Sequence, residues 1–152
     1  MHHEKQLLNE SLGYLTGVSH YKLRQKMAAK FLESGLDVTP DQWKVMMSLA
    51  NKGQMYQSQL ADCHKKDRAG IKRLVDHLDA KGLVSRTPSE TDSRTILVSL
   101  TDKGHKTVLA LNAMAKESMT EALAGFTESE VVLLKRLLTQ LIENLSEGRN
   151  GG

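Results

Sequence analysis

Basic side chains are concentrated in one central stretch of the sequence, residues 65–106. This stretch holds ten Lys or Arg against six Asp or Glu, whereas the whole chain of 152 residues has a formal net charge of +3. The positive charge is therefore local. Side chains of this kind can bind the phosphate oxygens of a polyanion, although a solvated, charged helix face is the ordinary alternative.

One segment of this stretch, residues 67–81, combines helical spacing with basic side chains. At about 100° per residue, its apolar side chains fall on one stripe, and Ala69, Lys72 and Arg73 fall on the opposite side. Small residues at the start of that side would let the backbone approach a major groove, where Arg73 can bind a guanine edge through two nitrogens. Cations beside the helix N-terminus can contact phosphate oxygens. The residues of this candidate surface are Lys65, Lys66, Arg68, Ala69, Gly70, Lys72 and Arg73.

Capping signals divide the chain into further helices. Thr39 and Gln42 carry the signature of a capping box, as do Thr127 and Glu130, and Asp67 is an N-cap candidate. The first helix is predicted in one piece, although two glycines interrupt its apolar spacing. The predicted helices span residues 4–34, 39–52, 56–64, 67–81, 101–123 and 127–145.

Two short segments, residues 83–87 and 95–100, have the composition of β-strands. The second alternates apolar and polar side chains, and the polar stretch between the two predicts a hairpin. Two short helices followed by a hairpin form a winged helix-turn-helix, so the expected fold class is mainly α with a small β-hairpin (α+β). The predicted regions are a winged helix-turn-helix over residues 36–100, helical dimerisation segments over 1–35 and 101–147, and a flexible tail over 148–152.

This order of elements resembles the MarR family of bacterial transcriptional regulators over about residues 12–145. The most specific match is the wing signature of that family, an Asp-x-Arg motif followed by a strand, a Leu-Thr pair and a glycine. The chain departs from the family at residues 64–66, where it has His-Lys-Lys instead of an apolar residue, a glycine and another apolar residue. The matching wing residues are Asp92, Arg94, Leu100, Thr101 and Gly104.

The tip of the predicted hairpin carries Arg94, whose guanidinium can enter a narrow minor groove with a negative potential. Asp92 lies two residues earlier, and the resemblance implies that it orients Arg94 or braces the wing through an ion pair. An incidental surface pair contributing under about 1 kcal/mol is the alternative. The neighbouring helix-turn-helix favours a role in binding.

Apolar stripes in the two terminal regions exceed what a small winged-helix core can cover, and exposed apolar surface of that size marks an interface. The resemblance implies a homodimer in which the first and the last two helices pair across a twofold axis. Two recognition helices would then meet major-groove faces about 34 Å apart, so the expected partner is double-stranded DNA with a near-palindromic operator. We expect the protein to repress transcription by occupying a promoter.

Members of the resembled family often bind a small aromatic or phenolic molecule between the dimerisation helices and the winged helix. The resemblance therefore implies an effector that releases the repressor, in a pocket with adaptable apolar walls and a few polar groups. For Trp43, Met46 and Met47 the favoured interpretation is ordinary packing in the core, because apolar residues at helical spacing usually pack. The candidate ligand-binding residues are Tyr14, His20, Tyr21, Arg24, Trp43, Met46 and Met47.

Cys63 is the single cysteine of the chain, and the three residues after it are cations that would favour a thiolate. A redox-responsive regulator is therefore one alternative, although a buried packing residue is the favoured interpretation of Cys63. The six histidines show no short ligand spacing typical of zinc, so we expect no metal and no cofactor.

Other classes of protein are excluded or disfavoured by missing signals. The sequence contains no P-loop, no GxSxG and no HExxH motif, so we do not expect an enzyme. No apolar run reaches about 18 residues, the start lacks a secretion signal, and one cysteine suits a reducing compartment, so we expect a cytoplasmic protein that does not span a membrane. A winged helix that contacts protein rather than DNA remains the second alternative, and salt dependence of binding would distinguish the two.

Overall fold

The computed structural model describes residues 10–91 and 95–147, and the predicted tail at residues 148–152 lies outside this part. The chain divides into two compact units, Met1–Ser118 and Met119–Gly152. The helices are α1 (Leu12–Glu33), α2 (Pro40–Lys52), α3 (Gln57–Cys63), α4 (Arg68–Ala80), α5 (Asp102–Ala122) and α6 (Glu128–Glu147). The strands are β1 (Gln54–Tyr56), β2 (Val84–Pro88) and β3 (Ile96–Leu100).

The prediction of one uninterrupted helix from residue 4 to residue 34 is wrong at Ser11, and residues 4–9 lie outside the described part of the chain. Ser11 has an extended backbone, with φ −68° and ψ 141°, and its hydroxyl accepts a hydrogen bond from the Tyr14 N–H at 3.1 Å. A serine that caps the following turn in this way begins a new helix. Gly13 and Gly17 lie within α1 without interrupting it.

The predicted caps are confirmed. The Thr39 hydroxyl and the Gln42 side chain each accept a hydrogen bond from the other residue's backbone N–H at 3.2 Å. The Gly70 N–H donates to Asp67 Oδ1 at 2.7 Å at the start of α4, and the capping box of α6 is formed with distances of 2.9 and 3.1 Å. These bonds satisfy donors that the first turn of a helix leaves unpaired.

The hairpin is confirmed, but it belongs to a sheet of three strands. The antiparallel order is β1-β3-β2, with Met55 opposite Val98 and Arg86 opposite Val98 on the other side. Strand β1 was not predicted, because three residues are too short to show alternation. The sheet thus extends beyond the wing and joins it to the start of α3.

The core of the first unit lies between α2, α4 and the sheet. The apolar stripe predicted on α4 is confirmed, since Ile71, Val75 and Leu78 are buried and Leu74 packs against the core. Phe31 of α1 meets Trp43 of α2 edge to face, with ring centroids 6.1 Å apart. The largest fully buried side chains are Phe31, Met46, Leu49, Leu60, Ile71, Leu78 and Leu111.

The start of α5 packs closely on the loop that follows α4. Thr101 donates from its backbone to Leu83 O at 3.1 Å and from its hydroxyl to Gly82 O at 2.6 Å. A Cβ on Gly104 would lie 2.0 Å from Leu83 O, so only glycine fits at this position. The Leu-Thr-x-x-Gly part of the wing signature therefore has a packing function.

In the second unit, α6 exposes a large part of its apolar surface. The exposed large apolar side chains of α6 are Val132, Leu133, Leu134, Leu137, Leu138, Ile142 and Leu145.

Among the described helices, none has the length and apolarity that crossing a membrane requires.

Candidate nucleic-acid interface

The turn between α3 and α4 is a tight helix C-terminus in which Lys65 takes the position that usually requires glycine. Lys65 has φ +51°, a left-handed backbone. The Lys66 N–H donates to Ala61 O at 3.0 Å and the Lys65 N–H to Asp62 O at 3.4 Å. This bond pattern is that of a Schellman motif, so the turn forms although the chain departs from the family at residues 64–66.

His64 precedes this turn and packs against α2. Its Nε2 shares a hydrogen bond with the Ser48 hydroxyl at 2.9 Å. Burial, followed by the charges of Lys44 and Lys66, lowers the pKa of His64, and Asp41 opposes this only in part. Near pH 7, His64 is therefore mainly neutral and adds little to the positive charge of the turn.

The outward face of α4 presents the predicted small and basic residues. Arg68, Ala69, Lys72 and Arg73 are exposed, and Gly70 is half-buried. The N–H groups of the first turn point along the axis of α4 toward its N-terminus, which Lys65 and Lys66 precede in the chain. The geometry expected of a recognition helix is thus present.

Ion pairs divide the predicted cations into two groups. Lys72 Nζ lies 3.0 Å from Asp76 Oδ2, and Lys66 Nζ lies 3.8 Å from Asp41 Oδ2. Within residues 10–91 and 95–147, no ion pair joins the side chains of Lys65, Arg68 or Arg73 to a carboxylate. These three cations are therefore free to meet an external anion.

Sequence reasoning missed Arg86, which joins β2 to α4. Its Nη1 lies 2.6 Å from Asp76 Oδ1, and its Nε and Nη2 lie 3.2 and 2.8 Å from Asp79 Oδ2. Bonds to Asp79 and Asp76 raise the pKa of Arg86, and bonds from Lys72 and Arg86 lower the pKa of Asp76. Two carboxylates three residues apart on a helix, followed by an arginine on the next strand, were the available signal.

A second cluster joins α1, α2 and the turn through one carboxylate. Arg24 Nη1 and Nη2 each lie 2.9 Å from one oxygen of Asp41, which also contacts Lys66. Burial raises the pKa of Asp41, but the hydrogen bonds and charge of Arg24, with Lys66 and Lys44, lower it below its usual value. Arg24, a candidate ligand residue, is thus already engaged by a carboxylate.

The other candidate ligand residues lie in two environments. Met46 is fully buried, while Trp43 and Met47 pack against the core, in line with the favoured interpretation of these three. The Trp43 indole N–H donates to Asn112 Oδ1 of α5 at 2.9 Å. Tyr14, His20 and Tyr21 are exposed on α1, and a role for any of these residues in ligand binding stays a prediction.

Two further predicted sites have different outcomes. Cys63 is exposed at the end of α3, so the favoured interpretation of a buried packing residue is wrong. The apolar side of a helix as short as α3 is narrow, and Leu60 and Ala61 fill it. Asp92 and Arg94 lie outside the described residues, so their roles and the redox role of Cys63 stay predictions.

A cavity of about 240 Å³ lies between the starts of α3, α4 and β3. Arg68 is its basic side chain, and Ser58 and Thr95 add hydroxyl groups, with Ile71 and Ile96 as apolar lining. Basic and hydroxyl groups together suit a phosphate oxygen. Arg68, the first residue of α4, belongs both to the lining of this cavity and to the candidate surface.

Comparison with known proteins adds independent findings on this geometry. The family model described as MarR family matches residues 38–96. The transcriptional repressor MdtR of Bacillus subtilis (strain 168) is 31% identical over 123 residues, which cover 80% of this chain and 79% of that protein. The transcriptional repressor IacR of Pseudomonas putida is 26% identical over 83% of this chain and 74% of its own.

Solved structures agree with these relatives. A mutant MarR from E. coli complexed with operator DNA has a TM-score of 0.78 and 28% identity, over 89% of this chain and 97% of that chain. A probable transcriptional regulator from Pseudomonas aeruginosa has a TM-score of 0.74 and 33% identity, over 88% of this chain and 98% of that chain. The winged helix and the helices that flank it are thus shared along nearly the whole of both structures. Together with the 31% identity to MdtR across most of both sequences, this similarity shows that the chain belongs to the MarR family.

Proposed function

We propose that this MarR-family protein binds double-stranded DNA as a homodimer and represses transcription, with α4 in the major groove. The observation that carries the proposal is the state of Arg73, which is exposed on the outward face of α4 and has no carboxylate partner among the described residues. By contrast, Lys72, the residue before it, is paired with Asp76. An arginine left free on such a face is suited to a bidentate bond with guanine.

The remaining residues of the candidate surface have different proposed roles. Arg68 and Lys65 bind phosphates beside the N-terminus of α4, and one phosphate oxygen enters the cavity that Arg68 lines. Ala69 and Gly70 allow a close approach of the helix. Lys66 and Lys72 contribute less, because Asp41 and Asp76 compete for them. Asp92 and Arg94 act at the adjoining minor groove.

Relatives support double-stranded DNA as the partner and repression as the effect on transcription. A MarR structure that aligns with 89% of this chain is complexed with operator DNA, and two relatives are described as repressors. The exposed apolar side chains of α6 support a dimer, and a dimer would select a near-palindromic operator. A small aromatic or phenolic effector, bound near Arg24 and α2, would release the DNA.

Selection of bound duplexes from a random library tests the proposal. We expect a near-palindromic consensus whose affinity falls steeply with salt, because phosphate contacts release counterions. Failure to enrich any sequence, or an affinity insensitive to salt, would contradict DNA recognition and favour a protein partner.

Arg73→Ala then tests the base contact on the selected operator. We expect a loss of about 1 to 3 kcal/mol in binding free energy for each half-site and relaxed preference at one position of each half-site. Lys72→Ala is the matched control, because it removes one positive charge that Asp76 already neutralises. Equal effects of the two substitutions would show that Arg73 contributes charge rather than base recognition.

A further inference from the structure

We propose that Arg86 is a positioning residue for DNA recognition, which fixes the orientation of the recognition helix α4 relative to the wing strand β2 by bridging Asp76 and Asp79. The inference rests on the proposed function, because it concerns how the same surface distinguishes an operator from other DNA. Arg86 itself need not touch DNA.

The geometry is that of a planar group held at three points. Arg86 bonds Asp76 through Nη1 at 2.6 Å and Asp79 through Nε and Nη2 at 3.2 and 2.8 Å. The Arg86 side chain is 25% exposed, and those of Asp76 and Asp79 are 35% and 42% exposed. Because a guanidinium is rigid, two carboxylates one helical turn apart restrict both sliding and rotation of the strand along the helix.

The bridge connects two parts of the surface that must meet DNA together. Asp76 follows Arg73 by three residues on α4, so the bridge lies one turn beyond the predicted base contact. On the other side, Arg86 lies opposite Val98 of β3, whose side chain is fully buried in the core. The position of α4 is thus coupled to the hairpin through a strand that the core already holds.

The charges around the bridge balance one another, which argues against a direct phosphate contact. Lys72 takes the second oxygen of Asp76, so two cations face two carboxylates. Both oxygens of Asp76 already accept bonds within the protein, and competition from Arg86 and Lys72 disfavours Asp76 as the acceptor for a cytosine amino group. This cluster can therefore orient α4, but it supplies neither a net attraction for phosphate nor a base contact.

Arg86→Met, Arg86→Lys and Asp79→Asn should be compared by measuring dissociation constants for the selected operator and a scrambled duplex at several salt concentrations. We expect Arg86→Met to lower the ratio of operator to scrambled affinity by about tenfold or more, a shift comparable to a lost base contact. The affinity for the scrambled duplex should fall less than that for the operator, because it reflects only the lost positive charge, and its salt slope should stay nearly unchanged because Arg86 makes no phosphate contact. Arg86→Lys should lose most of the ratio, because one ammonium cannot bridge both carboxylates with fixed geometry.

Asp79→Asn separates orientation from charge. Removing a negative charge near DNA should raise affinity for any duplex, whereas breaking the bridge should lower the operator ratio, so a lowered ratio supports positioning. Lys22→Met on α1 is the matched control for the lost charge of Arg86→Met, since Lys22 is exposed outside the candidate interface. Circular dichroism and urea unfolding of each variant identify any loss of fold.

Three other outcomes would contradict either the positioning role of Arg86 or the proposed function. A salt slope smaller by about 1.8 in Arg86→Met, or about 0.9 for each protomer, with equal losses on both duplexes, would make Arg86 a phosphate contact. An unchanged ratio in all three variants, with wild-type protein still selecting its operator, would overturn the positioning role alone. Wild-type protein without any sequence preference would overturn the proposed function itself.

Discussion

At the scale of single residues, Lys65 combines an unfavourable backbone conformation with a position on the candidate surface. The left-handed conformation at φ +51° is strained for a residue with a Cβ, and a glycine would relieve it. A glycine, however, would remove one of the three cations that have no carboxylate partner among the described residues. Lys65 therefore carries backbone strain at a position where its side chain adds charge to the candidate surface.

Lys65→Gly should therefore stabilise the fold while weakening DNA binding. We expect the free energy of unfolding in urea to rise by about 1 kcal/mol, because the left-handed turn no longer strains a side chain. The salt slope of operator binding should fall by about 1.8, because each of the two protomers loses one phosphate contact worth about 0.9.

Lys65→Ala is the control for this exchange, because it removes the same charge and keeps the strained Cβ. It should weaken DNA binding as Lys65→Gly does without stabilising the fold. If both variants bind the operator like wild-type protein, Lys65 makes no phosphate contact.

Which residues could be predicted from sequence depends on how far apart their partners lie. The exposure of Arg73 and the burial of Val75 follow from helical periodicity alone. The bridge formed by Arg86 joins a helix to a strand, so its existence depends on how these elements pack. The exposure of Cys63 was missed for a related reason, since the side of a two-turn helix that faces the core is poorly determined by its own sequence.

At the scale of elements, the helix caps could be predicted from the sequence. The short strand β1 and the interruption at Ser11 could not. The caps at Thr39 and Asp67 were correct because a cap uses bonds within three residues. Strand β1 was missed because its pairing with β3 comes from a segment more than forty residues away. The break at Ser11 was missed because apolar spacing continues through it.

Asp41 holds three elements together, and its charge should make their packing depend on pH. Its folded-state pKa lies below the unfolded value, so the stabilisation is fully present above the unfolded pKa and is lost as pH falls through the folded pKa. Asp41→Asn should therefore lower the free energy of unfolding near pH 7, and the difference from wild-type protein should disappear at strongly acidic pH. Urea unfolding between pH 7 and pH 2 measures both.

Asp37→Asn is the control, because the Asp37 carboxylate is 93% exposed and lies 3.7 Å from Lys81. An exposed pair of this kind contributes little, so its removal should change stability only slightly at any pH. A deficit in Asp41→Asn that persists unchanged at pH 2 would show that shape, and not the charge of Asp41, is responsible.

At the scale of the whole molecule, the two units differ in how much apolar surface they bury. The first unit has a closed core, whereas α6 in the second exposes seven large apolar side chains along 20 residues. Monomeric proteins rarely expose so continuous a stripe, and its spacing of three and four residues suits pairing with another helix. A homodimer that covers this surface would also present two copies of α4.

A double substitution on this stripe, Leu138→Gln with Ile142→Gln, should dissociate the dimer without changing net charge. Each buried apolar side chain contributes about 1.5 to 3 kcal/mol, and a twofold interface loses each contribution twice. Sedimentation velocity at micromolar concentration should show a monomer. Operator affinity should fall about a hundredfold or more, because the two half-sites no longer bind one linked particle.

The matched control is Thr139→Gln with Ser146→Gln, which alters exposed polar positions of the same helix. These hydroxyls bond only to the backbone one turn earlier, so the control protein should remain dimeric and bind its operator. Because Arg73 and the wing belong to the first unit, the dissociated variant should keep its affinity for a single half-site. A variant that stays dimeric with full operator affinity would place the interface elsewhere on the chain, and a monomeric wild-type protein would remove the physical basis for a palindromic operator.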